Sequence, residues 1–172
     1  MTGAGAAVRL RAGSVALETA MWLPSLLVLL VGMVEVARLT YTYYTLHKTI
    51  YTLGRYLAGQ QGVNYCDSAD ATVQAAKEYV LRGSPDESQE RIVVGLEPDM
   101  IQIRVERVNS DTGDLEECEC SSTGCDLGQG GVSPQYLVVS IPEGYGMRLG
   151  IPGLNLDPIL LRPVVRLPFG GA

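Results

Sequence analysis

The stretch GSVALETAMWLPSLLVLLVGMVEVAR, residues 13–38, decides how the chain is organised. Sixteen consecutive residues between Glu18 and Glu35 carry no charge, and most of them are Leu, Val, Ala or Met. With the apolar residues on both flanks they reach membrane-spanning length, because about 20 mostly apolar residues cross the hydrocarbon core of a bilayer. A helix is the expected form, since it pairs its own backbone polar groups in lipid. The stretch therefore predicts one transmembrane helix.

Two residues in this stretch are unusual for a simple anchor. Glu18 places a carboxylate at the head of the span, and an ionisable group at membrane depth points to a function and needs a partner. Pro24 lies inside the span and predicts a kink in the helix, because proline lacks the backbone donor and its ring clashes with the preceding turn.

A short basic leader precedes the span. Residues 1–12 contain two arginines and no acidic residue, and Glu18 is the fifth residue counted from Ser14. This arrangement resembles the class III signal of type IV pilins, which a prepilin peptidase cuts after the glycine. Residues 13–46 resemble more closely the TadE-like family, the pseudopilins of tight-adherence pilus systems. The matching features are Gly13-Ser14, Ala16, Glu18, Leu23-Pro24, the Leu/Val run, Gly32, Glu35, Arg38 and the tyrosines that follow. Thr19 departs from the family, which usually has an aromatic residue after the glutamate.

The resemblance implies a structural role in building or priming a pilus. Cleavage between Gly13 and Ser14 would leave a free α-amine at the head of the span, and in pilins the matching glutamate, here Glu18, is thought to meet the amino terminus of a neighbouring subunit. The implied partners are the prepilin peptidase, other pilin or pseudopilin subunits, an inner-membrane assembly platform and membrane lipid.

A different class of protein fits the same span. An uncleaved single-pass envelope protein, whose outer domain binds partners or ligands, would also have an apolar run after leading arginines. A secretory signal fits less well, because the apolar run leads into Glu35 and Arg38 and not into a small-x-small cleavage site. In either remaining case Arg9 and Arg11 predict a cytoplasmic amino terminus and an extracytoplasmic domain, since basic residues favour the cytoplasmic side.

Composition argues against several classes of function. The net charge is −6 and no Lys/Arg cluster occurs, so nucleic-acid binding is not expected. The chain has one histidine, His47, which the helical pattern places in solvent, and it lacks a phosphate loop, a G-x-S-x-G motif and a metalloprotease helix. We therefore predict a protein that is not an enzyme and that needs no cofactor and no metal.

The helical pattern continues beyond the membrane. Leu46, Ile50, Leu53 and Leu57 repeat at the spacing of one helix face. One helix is therefore predicted from Ser14 to Ala58, roughly 68 Å long at 1.5 Å per residue, with Gly59 as its end. After a loop, Asp67 or Ser68 is predicted to open a second helix that ends at Gly83. The run 92–96 fits a short strand or a turn.

The carboxyl-terminal half predicts a small antiparallel sheet. Residues 101–107 alternate between apolar and polar, and the sequence NSDTGD at 109–114 is a turn signal. The other predicted parts are strands at 135–141 and 160–167, with loops at 116–131 and 142–158. Pro163 demotes the last strand to an edge or a bulge. The fold class is therefore α+β, with a leader at 1–13, the membrane half of the long helix at 14–37 and an extracytoplasmic domain at 38–172, in which the second helix and the sheet pack on the outer half of the long helix.

Four cysteines lie beyond the span, on the side where disulfides persist. A bond between Cys118 and Cys120 is sterically poor across one residue, which leaves two pairings. These are Cys66–Cys118 with Cys120–Cys125, and Cys66–Cys120 with Cys118–Cys125. Zinc is the rival hypothesis, but C-x-C-x4-C is not the spacing of common structural zinc sites.

Overall fold

The computed structural model describes residues 4–60, 62–86, 88–118, 125, 131–151 and 157–170, with only the backbone described at 4–14 and 16. The chain divides into two compact units. The first contains Met1–Thr40 and Arg148–Pro158, and the second contains Tyr41–Met147 and Ile159–Ala172. The architecture has a long amino-terminal helix, a second helix and small antiparallel sheets, which confirms the predicted α+β class.

The first helix, α1, is a single element of 55 residues, Ala4–Ala58. The predicted start at Ser14 was wrong, because the preceding residues also form helix. Six of the ten residues 4–13 are alanine or arginine, which have high helix propensity, and the two glycines Gly5 and Gly13 are tolerated. The predicted end is confirmed, since the Gly59 N–H bonds to the Tyr56 carbonyl in a turn. Pro24 lies within this helix, which is assigned without interruption.

The part of α1 from Tyr41 to Ala58, called the outer part below, forms one wall of the core of the second unit. Leu46, Ile50, Leu53 and Leu57 are each 0% exposed, as their spacing predicts. A Cβ atom added to Gly54 would lie 2.7 Å from Leu167 Cδ1 and 3.1 Å from a Val139 methyl carbon. The sheet therefore packs directly on this part of the helix, and Gly54 is the point of closest approach.

The second helix, α2, spans Ala71–Arg82, and its N-cap is Asp70. The predicted start at Asp67 or Ser68 was wrong, because Asp67 is used in the preceding turn, where its carboxylate accepts a bond from the Ala69 N–H. The Asp70 carboxylate accepts bonds from the backbone N–H groups of Thr72 and Val73 at 2.9 and 3.1 Å. Gly83 ends the helix at φ +69°, as predicted.

The Asp70 cap predicts acid-sensitive stability. Burial alone would raise the pKa of Asp70, but N–H donors from Val73, Asn64 and Thr72 outweigh it and hold the pKa below its ordinary value. Asp70→Ala should lower the free energy of unfolding by about 1 kcal/mol at pH 7. Since the folded-state pKa is depressed, this contribution is present above the ordinary carboxyl pKa and is lost as the pH falls through the lowered one. Thermal unfolding of the full-length chain in detergent, followed by circular dichroism from pH 7 to pH 3, measures both effects.

Asp70→Asn is the matched control for this prediction. Asparagine caps helices as well as aspartate does, so the variant should keep most of the stability at pH 7. It has no carboxyl group at this position, so its stability should depend less steeply on pH below 5. Equal acid sensitivity of Asp70→Asn and the parent chain would contradict the assignment.

Six strands form two antiparallel sheets. They are β1 Gln102–Val108, β2 Leu115–Glu117, β3 Tyr136–Ser140, β4 Tyr145–Met147, β5 Ile159–Leu161 and β6 Val164–Pro168. The four-stranded sheet has the order β2-β1-β3-β6, and β4 pairs with β5 in a two-stranded sheet. Strand β3 lies between two neighbours and its residues 137–140 are buried, so it forms the centre of the core.

Three short elements differ from the prediction. Residues 115–117 form β2, although the loop was predicted to begin at Glu116. The turn closed by bonds between Asn109 and Asp114 and between Gly113 and Asn109 returns the chain alongside β1. The predicted connection 142–158 contains β4. The predicted strand 160–167 is divided at Pro163 into β5 and β6, which belong to different sheets.

Strand β6 is an edge strand, as Pro163 predicts. The run 92–96 forms a turn, with Gly95 at φ +81°.

Candidate functional site

The apolar part of α1 is the first candidate site, because the described residues leave most of it exposed. Most of its large side chains are more than half exposed, among them Met21 at 74%, Trp22 at 65% and Leu29 at 61%. Such a continuous apolar surface is not left in water by a soluble protein. Among the described residues, α1 is the one helix that is long and apolar enough to span a membrane. Its exposure distinguishes it from the core helix of a soluble domain, which would be buried.

Glu18 lies in this exposed surface. Its side chain is exposed, and within the described part of the chain it makes no ion pair and no hydrogen bond. In water this would be unremarkable, but in lipid an ionised carboxylate without a partner carries a large desolvation cost. No described residue of the same chain supplies such a partner to Glu18, so a neighbouring molecule is the source to consider if the helix is in a membrane.

Thr19, next to Glu18, has its hydroxyl satisfied within the helix. The Thr19 hydroxyl donates to the Val15 carbonyl at 2.9 Å, a bond within the helix that lets a threonine sit in an apolar environment. Gly13 and Ser14 lie within α1, and the structure describes their backbone but not the Ser14 side chain. Pro24, predicted to kink the helix, is placed in the middle of the exposed apolar run.

Glu35, at the other end of the span, has a different environment from Glu18. It is only 7% exposed, and Arg38 Nη1 donates to both of its carboxylate oxygens, at 3.0 and 3.3 Å. A Cβ atom on Gly150 would lie 3.4 Å from Glu35 Oε1, so the segment beginning at Arg148 passes over this carboxylate. The two glutamates are thus not equivalent, since one is paired within the chain and the other is not. Sequence reasoning did not assign Glu35 a role, although the i, i+3 spacing to Arg38 indicated the pair.

The cysteines form a second candidate site, at the end of β2. Cys118 and Cys125 form a disulfide, and the Cys118 N–H bonds to the Val105 carbonyl of β1. Cys66 is also disulfide-bonded, whereas Cys120 lies outside the described residues. Of the two pairings derived from the sequence, the second contains the observed bond. Closing a short loop in this way stabilises a fold by about 2–3 kcal/mol.

A groove of about 730 Å³ lies between α2 and β1 in the second unit. Lys77 is buried in its wall, and its ammonium donates to the Ile101 carbonyl at 2.8 Å. Burial lowers the pKa of Lys77, and the charge of Asp99 opposes this shift. Tyr65, which also lines the groove, has its pKa raised to about 12 by burial and by the charge of Asp70, and its hydroxyl donates to the Leu57 carbonyl. These groups are used for internal bonds, and they give the groove a rigid polar wall.

Comparison with known proteins finds a match to one family model, over one part of the chain. Residues 13–55 match the family model described as TadE-like protein. No curated protein and no solved structure matches the chain. The match confirms the resemblance drawn from the sequence, and it covers the apolar span, both glutamates and most of the outer part of α1.

Proposed function

We propose that this chain, which carries a TadE-like segment at residues 13–55, is a pseudopilin, a structural subunit of a tight-adherence pilus. TadE-like proteins are a pilus-related family with a structural and not an enzymatic role. In this proposal a prepilin peptidase cuts between Gly13 and Ser14. The chain then stays in the inner membrane or enters the filament, with its amino terminus at the cytoplasmic side and the domain outside.

One observation carries the proposal, namely the carboxylate of Glu18, which is exposed and has no partner among the described residues, at the head of an exposed apolar helix. Cleavage at the proposed position would create an α-ammonium group on Ser14, four residues before Glu18. Within one chain, the α-ammonium of Ser14 lies about 6 Å from Glu18 along the helix axis. If a parallel neighbouring helix is shifted along its axis by about this distance, its Glu18 can meet that ammonium. A carboxylate and an ammonium that pair in lipid remove the desolvation cost that each has alone. Processing would thereby make assembly possible.

The intact mass of the protein, extracted without reducing agent from its native membrane, tests this proposal. We expect a chain that begins at Ser14, because the peptidase removes residues 1–13. A Gly13→Leu variant should keep the full mass, because the peptidase requires a small residue before the cut. A full-length parent chain, isolated from cells in which a known prepilin is processed, would overturn the proposal.

The groove between α2 and β1 favours a second candidate function, that of an uncleaved envelope protein whose outer domain binds a ligand. Its volume of about 730 Å³ falls within the range of small-molecule sites. Lys77, Asp99 and Arg104 lie along it, so a ligand would have to be polar. The mass experiment separates the two functions, since this one requires residues 1–13 to remain.

A further inference from the structure

A row of side chains on the outer part of α1 faces away from the domain core. Tyr41, Tyr44, Lys48, Tyr51 and Arg55 are spaced by three, four, three and four residues, so they lie on one side of the helix. All five are exposed. At 100° per residue this row lies opposite the buried leucine and isoleucine face of the same helix. We call it the tyrosine-cation face.

The two cations of this face have no acidic partner among the residues that the structure describes. Lys48 and Arg55 make no ion pair with any described residue. Most other basic residues of the second unit do have acidic partners, namely Arg82, Arg91, Arg104 and Arg166. Tyrosine and arginine are the residues that protein interfaces favour. The face therefore suits a partner surface that is acidic and not strongly apolar.

Lipid headgroups are one source of negative charge, but they do not fit the length of the face. From Tyr41 to Arg55 the helix rises by about 21 Å. The headgroup layer on one side of a bilayer is only about 6 Å thick. If Tyr41 lies in that layer on a membrane-crossing helix, Lys48 and Arg55 extend beyond it. A protein partner is required to cover the whole face.

The chain itself presents a complementary surface at the turn from β1 to β2. Asp111, Asp114 and Glu116 are exposed there, and no ion pair of the described residues includes them. Glu117 follows and pairs with Arg104 at 3.3 Å, on an exposed surface. Leu115 lies among these acids and is 43% exposed, which offers apolar area to a tyrosine ring. We call residues 111–117 the acidic hairpin.

We propose that the tyrosine-cation face of one copy of this chain binds the acidic hairpin of a second copy. Two cations can face two acids, since Lys48 and Arg55 are about 10 Å apart along the helix, whereas Asp114 and Glu116 lie two residues apart, on one side of the extended segment and about 7 Å from each other. The long lysine and arginine side chains can span the difference. The two surfaces differ, so the contact is head-to-tail and leaves each copy with one free surface of each kind. It can therefore propagate along an assembly. The inference rests on the proposed function only in that copies of the chain assemble.

Site-specific photo-crosslinking tests this contact in the full-length chain in its native membrane. A photoreactive p-benzoylphenylalanine at Tyr51 should give a covalent dimer on irradiation, and mass spectrometry should locate the adduct between residues 107 and 118. The double variant Lys48→Glu with Arg55→Glu should reduce the dimer about tenfold or more. A chain that also carries Asp114→Lys and Glu116→Lys should recover it, because the charges are then exchanged between the two surfaces.

Arg162→Glu is the matched control, because Arg162 is exposed, has no ion pair among described residues and lies outside the face. It should leave the dimer unchanged. Crosslinks to lipid or to other proteins alone, or a dimer that charge reversal does not reduce, would overturn the inference. The amino-terminal mass of the same sample separates the two proposals. If the chain begins at Ser14 but no dimer is crosslinked through position 51, only the proposed contact is rejected. If the chain is full-length and the dimer forms, only the proposed cleavage after Gly13 is rejected.

Discussion

Glu18→Ala is expected to leave membrane insertion intact and to reduce the assembled fraction of the protein about tenfold or more. Insertion depends on the apolar run, and removal of a charge from it can only favour lipid. In the proposed assembly Glu18 pairs with the α-ammonium of a neighbouring Ser14, and one charge-assisted bond is worth about 1.5–3 kcal/mol. Each 1.4 kcal/mol changes an equilibrium tenfold. The filaments of cells that carry the variant, counted by electron microscopy, measure the effect.

Two further variants test which property of Glu18 matters. One removes its charge but keeps its shape, and the other makes the same change at a different glutamate of the span. Glu18→Gln keeps the volume and the hydrogen-bonding oxygen but lacks the charge, so it should fail nearly as strongly as Glu18→Ala. Glu35→Gln changes the other glutamate of the span, which Arg38 already neutralises within the chain, and it should assemble far better. Resistance to alkaline extraction should be equal in all three variants. Normal filament numbers in Glu18→Gln would show that the carboxylate is not the assembling group.

The sequence predicted the features that depend on a long repeating pattern. The apolar run of the span and the repeat of Leu46, Ile50, Leu53 and Leu57 determine which part of α1 is apolar enough to span a membrane and which part packs on the domain. Burial of apolar area drives both outcomes, so composition and spacing were sufficient. The alternation in β1 was informative for the same reason, since one of its sides faces the core.

The elements that the sequence analysis did not predict are short, and their conformation depends on contacts with neighbouring segments. Strand β2 has three exposed residues, so it has no apolar pattern of its own, and its hydrogen bonds to β1 depend on the turn at Gly113. The N-cap of α2 was misplaced at Asp67 or Ser68, because Asp70, a residue of the same capping type, follows within three residues and only the folded loop selects it. The burial of Glu35 depends on a segment more than a hundred residues away, near Gly150, which no local pattern indicates.

Gly54→Leu should destabilise the domain by about 3 kcal/mol or more, which is a large share of the 5–15 kcal/mol that a typical domain has. The reason is the contact between α1 and the sheet. A first side-chain carbon at this position already lies 2.7 Å from Leu167 of β6 and 3.1 Å from Val139 of β3, and leucine adds three more carbons. Val139 belongs to the central strand and is fully buried, so it cannot move aside. Thermal unfolding of the full-length chain in detergent, followed by circular dichroism, measures the loss.

Gly32→Leu is the matched control, because it makes the same substitution in the same helix where no atom lies within 4 Å of the added carbon. Leucine has a higher helix propensity than glycine by somewhat less than 1 kcal/mol, so Gly32→Leu should leave the domain unchanged or slightly more stable. Gly54→Ala tests whether the effect depends on side-chain size. The tip of the Leu167 side chain can turn away from a single methyl group, and the higher helix propensity of alanine offsets part of the steric strain that remains. Its effect should therefore be much smaller than that of leucine. If Gly54→Leu and Gly32→Leu unfold at the same temperature, α1 does not pack on the sheet at Gly54, and the helix must be free of the domain at that point.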